Sequence, residues 1–155
     1  MILFPFILVY IHSCCTCQLM TLFPFQKKVI FSARRTSRGD FAGLVSYDTI
    51  DVNIGGGMQT NGKFIAPESG TYGFTFSGVT YDKKSYPKVE VYKDDYSHHY
   101  IYEPNVSDYH KKINSSWMMK LSKGQRVHLT VTDGKLYATS HFPVIFTGNL
   151  LMLDD

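Results

Sequence analysis

Histidines, cysteines and paired carboxylates are the residues of this 155-residue chain that could hold a metal or move a proton. His12, His98, His99, His110, His128 and His141 are scattered, and none forms the His-x-x-x-His pair that sets two imidazoles on one helix face. Only His98 and His99 adjoin, within the polar, tyrosine-rich "KDDYSHHYIYEP", where they read as exposed loop histidines. Asp94 and Asp95 in the same stretch offer carboxylates to calcium. That ion takes about six to eight oxygens, however, and the sequence places no such set, so no metal or cofactor is expected. Ser85 and Lys88 have the Ser-x-x-Lys spacing of an acyl-enzyme nucleophile, yet Pro87 falls inside it and no partner motif follows. Gly55, Gly56 and Gly57 open no helix and cannot cradle a phosphate. The chemistry of catalysis is missing, which points to a binding protein and not an enzyme.

Binding features are easier to find. Arg38, Gly39 and Asp40 spell the tripeptide that integrins read, in a loop expected between the first strands. Asn105 and Asn114 head glycosylation sequons, with Asn105 the more open site because it follows Pro104. Tyr81, Tyr86, Tyr92, Tyr96, Tyr100, Tyr102 and Tyr109 populate the loop-rich middle of the chain, and amphipathic tyrosine suits recognition surfaces. A net charge of +3 with both signs interspersed is an ordinary soluble surface. No Lys/Arg cluster lies along one element to suggest a nucleic-acid footprint.

The N-terminus reads as a secretory leader. Ile2 to Ile11 is an apolar run of signal-peptide length, and Ser13, Cys15 and Cys17 supply small residues for cleavage after Cys17 or after Cys15. The first cut leaves a mature chain without cysteine; the second leaves one thiol. An uncleaved anchor is the alternative, since the initial segment lacks Lys or Arg and the uncharged stretch continues through "LMTLFPF". Pro5, His12, Gln18 and Pro24 interrupt that stretch, and no stable membrane insertion is expected after cleavage. The expected division is a leader over residues 1–17 or 1–15, a short segment to residue 28, and one domain over 29–153.

That domain must be built from strands. Runs such as "VIFSA", "FAGLVSY", "TYGFTFSGV", "KVEVY", "SSWMMKL" and "PVIFTGNLLML" are rich in β-branched and aromatic residues, separated by turn compositions including "TSRGD", "NIGGG", "APESG", "SKGQ" and "TDGK". Val127, Leu129 and Val131 alternate with His128, Thr130 and Thr132, so one side of that strand faces a core. No helix is convincing. Many short strands with frequent turns predict an antiparallel sandwich or jelly roll.

"GKFIAPESGTYGFTF" then carries a pattern specific enough to be recognised. Gly62, Phe64, Ala66, Pro67, Gly70, Tyr72, Phe74 and Phe76, with Asn53 and Gly55 upstream and Phe146, Gly148, Leu150 and Leu151 downstream, resemble the globular head domain of complement component 1q. The resemblance covers about residues 29–153 and departs at Gln125, where that family commonly has an acidic residue, and in having no collagen-like stalk. It implies an all-β, ten-stranded antiparallel jelly roll of the tumour necrosis factor type, secreted and assembled as a homotrimer. The implied role is non-enzymatic recognition of multivalent extracellular or surface ligands, of the innate-immune kind. A signalling or adhesion ligand for a cell-surface receptor is the alternative.

Overall fold

The computed structural model describes residues 27–80, 86–102 and 110–154. The expected leader with its three cysteines, and Tyr81, Ser85, Asn105 and Tyr109, lie outside the described residues.

Ten strands and no helix make up the described chain: β1 (Ile30–Arg35), β2 (Gly39–Leu44), β3 (Thr49–Ile54), β4 (Phe64–Ile65), β5 (Gly70–Thr80), β6 (Lys88–Lys93), β7 (Tyr96–Tyr102), β8 (Lys112–Leu121), β9 (Arg126–Ala138) and β10 (Val144–Leu153). All pairings are antiparallel. One layer runs β3-β1-β10-β5-β8; in the other, β9 is flanked by β2 and β4 on one side and by β6 then β7 on the other. Val79 and Thr80 of β5 pair Tyr137 and Leu136 of β9 and join the layers along one side. This is the jelly-roll sandwich that the strand count and turn spacing imply.

Aromatic rings fill the space between the layers. Tyr72, Phe74 and Phe76 alternate inward along β5, and all three are buried. Phe74 stacks on Trp117 and on Phe146, each at 5.7 Å between centroids, and meets Phe64 edge-on at 5.6 Å. Phe31 stacks on Phe64 at 4.9 Å and meets the edge of Phe146 at 5.0 Å. Such pairs contribute about 0.5–1.5 kcal/mol beyond their buried area. Gly148 reserves room for them: a Cβ there would collide with the rings of Phe31 and Phe74.

The signature turn has a defined job for each residue. Tyr72 donates its hydroxyl to the carbonyl of Glu68 at 2.7 Å, tying the corner around Pro67 to the start of β5. Gly62, at φ +90, passes so close to Val45 that any side chain would strike that residue's carbonyl. Asn53 closes the Gly55–Gly57 stretch, donating to the carbonyl of Met58 at 3.0 Å and accepting from its amide at 3.2 Å.

Gly39 and Asp40 do not lie in a loop as expected but open β2, paired with Ala138 and Tyr137, and three further stretches differ from the expectation. "SHHYIY" is strand β7, not a loop: it pairs with β6 from Lys93↔Tyr96 to Lys88↔Tyr102. "TDGK" does not end its strand. β9 continues through it, with Gly134 at φ +61 and a register shift between Phe41 and Gly43 of the opposing β2. "NIGGG" is a turn only from Gly55 onward, because Asn53 and Ile54 still pair with Phe31 and Ile30 in β3.

Candidate ligand-binding and assembly surfaces

The strand alternation that buries the rings turns a second set of residues outward on the β3-β1-β10-β5-β8 layer. Val52, Ser32, Thr147, Thr75 and Ser116 lie in one row across the sheet; Ile54, Ile30, Asn149, Gly73 and Met118 lie in the next. Thr75 and Ser116 share a hydroxyl hydrogen bond of 3.1 Å. One row carries small hydroxyl side chains from Ser32 to Ser116, and large apolar side chains lie at its end and in the rows beyond: Ile30, Val52, Ile54, Met118, Leu151 and Met152 are all exposed. Arg34 pairs with Asp51 at 2.9 Å on this face, and Lys120 pairs with Asp154 at 3.1 Å near its end. Asn114 stands on the same face, accepting from Ser77 at 2.9 Å.

At one end of the sandwich, Asp48 organises the β1–β2 connection. Its carboxylate accepts from the amides and hydroxyls of Thr36 and Ser37 and from the Thr49 hydroxyl. Desolvation opposes ionisation there, but these donors outweigh it and hold the carboxyl far below the usual carboxylate range. Arg38 sits in the bend so anchored, while Gly39 and Asp40 open β2. Asp40 is not a free carboxylate: Lys135 donates to it at 2.7 Å, and that bond lowers its pKa.

Asp94 and Asp95 are likewise engaged in the β6–β7 turn. Asp94, at φ 52, accepts from the Arg126 amide and the Gln125 side chain, both at 3.0 Å, and Asp95 lies 3.5 Å from the Arg126 guanidinium. Gln125, the departure from the family pattern, therefore serves as the donor that orients Asp94. Among the described residues no group of three or more His, Cys, Asp or Glu side chains is placed to hold a metal ion.

Tyr86, Tyr96, Tyr100 and Tyr102 are exposed as a recognition surface requires. Tyr92 is half-buried and stacks on His128 at 5.0 Å. His98 is exposed, but His99 turns toward the sandwich, edge-on to Trp117 at 4.9 Å.

Burial, reinforced by the charge of His98, lowers the pKa of His99. Burial, with Lys63 and Arg126 nearby and only Asp95 opposing, does the same for His128. Both rings bind a proton more readily in the unfolded chain, so the stability they give is fully present above about pH 6.5 and is lost as the pH falls through their folded values. Asp48 adds a second loss below about pH 4. The urea midpoint is expected to fall between pH 7.5 and pH 5, and His128→Phe should shrink that fall. A midpoint that is flat or rises toward pH 5 contradicts this assignment.

The described residues form an all-antiparallel jelly roll with hydroxyl and apolar side chains on one outer layer and hydrogen-bonded carboxylates in its turns. The family model for the C1q domain matches residues 30–151, and the chain belongs to that family. Its members are typically secreted, trimeric recognition or ligand proteins. Among solved structures, the globular domain of zebrafish complement 1qA protein is similar at a TM-score of 0.64 and 19% identity, over 82% of this chain and 99% of that one. Murine APRIL at pH 5.0 has a TM-score of 0.63 at 13% identity, over 81% and 100% of the two chains. Eiger TNF from S. frugiperda has 0.61 at 8%, over 84% and 96%. At these identities the likeness is one of fold.

Proposed function

We propose that this protein is a secreted, non-enzymatic recognition module that acts as a homotrimer and binds a multivalent extracellular ligand through the loops and turns at its ends. The observation that carries this reading is the set of exposed apolar side chains, Ile30, Val52, Ile54, Met118, Leu151 and Met152, beside the hydroxyl row of the β3-β1-β10-β5-β8 layer. Exposed apolar patches of this kind mark association surfaces, and a face without unpaired central charge has little desolvation cost to overcome. Trimerisation brings three weak sites together, so avidity exceeds single-site affinity. A glycan on Asn114 would stand on the assembly face, which favours Asn105 as the glycosylated sequon.

Adhesion through Arg38-Gly39-Asp40 is a weaker reading, because a receptor would have to draw the Asp40 carboxylate away from Lys135. Sedimentation equilibrium of the secreted protein is expected to give three times the chain mass, together with binding to polyvalent microbial or anionic surfaces. A monomer that binds none of them overturns the proposal.

A further inference from the structure

Three turns distant in sequence meet at the end of the sandwich that Asp48 organises. They are the Thr36–Arg38 bend, His110 just before β8, and the Thr139–Phe142 turn between β9 and β10; together they enclose a cleft of about 470 Å³. Small-molecule sites span roughly 300–1,000 Å³. The geometry points to this cleft as the binding site for a small acidic saccharide, a single sugar ring bearing a carboxylate or a sulfate. The inference rests on the recognition-module reading and supplies its ligand class.

The one formal charge on the described walls, that of Arg38, favours an anion. Arg38, His110 and His141 line the cleft, and no Asp or Glu does so among the described residues. Arg38 enters no ion pair or side-chain hydrogen bond among the described residues, so its fork of donors is available to a planar oxyanion.

Both supporting turns are preorganised. The Asp48 carboxylate gathers the backbone amides of Thr36 and Ser37 immediately before Arg38. Across the cleft, Thr139 donates its amide to the Phe142 carbonyl at 3.1 Å, and the Phe142 amide donates to the Thr139 hydroxyl at 3.0 Å. Affinity gains from such rigidity because less ordering remains to be done on binding.

Aromatic walls select a ring over a bare anion. His110 lies parallel to Phe142, 5.0 Å between centroids and 11° between planes, and tilts against Tyr137 at 5.4 Å. Phe142 keeps 39% of its surface exposed, an unusual amount for a phenyl ring in a turn. A pyranose offers such a slab one C–H-rich face, and turns its hydroxyls toward Ser140 and His141. The enclosed volume suits one or two such rings and is too small for an extended anionic polymer to lie within.

The test uses methyl β-glucuronide, glucose 6-sulfate, methyl β-glucoside and inorganic sulfate, each titrated against the full secreted protein and followed by the His110 and His141 NMR resonances. At least one acidic sugar is expected to bind about tenfold or more tightly than the neutral glucoside, the range of a charge-assisted hydrogen bond. Preference for glucuronide assigns a carboxylate ligand, and preference for the sulfated sugar assigns a sulfate; either supports the site. Arg38→Ala should erase the advantage over the glucoside, whereas Phe142→Ala should weaken both sugars and leave a residual advantage. Equal binding of acidic and neutral sugars, sulfate binding as tightly as the sugars, or no shift at tens of millimolar overturns the proposal. Because single-ring ligands report one cleft regardless of valence, a monomeric but sugar-binding protein would fail the trimer reading alone.

Discussion

Phe74→Ala is expected to lower the thermal midpoint by roughly 10–20 °C, the largest stability loss from any single side chain in the core. Phe74 touches both layers' rings at once: it stacks on Trp117, Phe146 and Tyr72 and is crossed by Phe64. Truncation removes its buried surface and leaves a cavity that rigid rings cannot collapse into, at a cost of about 3–5 kcal/mol for Phe→Ala. Set against a typical total of about 5–15 kcal/mol, this leaves a marginal fold. Trp117 is the only tryptophan in the chain and lies against Phe74, so its fluorescence reports the transition directly. The comparison belongs at one fixed protein concentration, since the proposed assembly would make the midpoint concentration-dependent. A fall of only a few degrees would show that the ring cluster is not the stabilising centre.

Thr75→Arg is expected to leave the fold intact and abolish the proposed trimer. Thr75 is exposed in the single chain and sits mid-sheet, with Thr147 beside it on β10 and Ser116 on β8. An arginine there is harmless to a monomer, but in an assembly it becomes an unpaired charge in a closed interface, worth several kcal/mol of penalty per copy. Sedimentation at micromolar concentration should shift from three chains to one while the β-type circular dichroism persists. Retention of the trimer would move the assembly surface to another face of the sandwich.

How much of this was legible depends on where each element buries its surface. β5 and the first half of β9 could be read because every second residue is apolar and buried, from Tyr72 to Phe76 and from Val127 to Val131. β7 escaped because it is an edge strand with one well-buried residue, Ile101, among Tyr, Ser and His, so its pairing with β6 leaves almost no apolar period. Gly134 misled in the opposite direction: Asp-Gly commonly ends a hairpin arm, but here it makes an irregularity inside a 13-residue strand.

The signature turn was recognisable because each residue has a fixed job: Tyr72 ties the Glu68 carbonyl, and Gly62 and Gly70 pass where a side chain would strike Val45 and Met152. The cleft was not, because Arg38, His110 and Phe142 come together only through the sandwich's end-to-end topology. Nor did the sequence distinguish the two neighbouring histidines; His98 is exposed and His99 packs on Trp117 because strand alternation sends them to opposite sides.

Strand β5 carries two messages on alternate letters: Tyr72, Phe74 and Phe76 are read by the core, and Gly73, Thr75 and Ser77 by the outer face. A period of two has no spare frame. Losing a single codon between Thr71 and Ser77 would exchange the two sets downstream of the lesion, sending rings to the outside and hydroxyls to the inside. Point changes on the outer face can therefore alter how copies meet while the fold survives, but insertions and deletions in this strand cannot. Length variation among descendants of this chain should accumulate in its turns, where ligand preference can drift without disturbing β5.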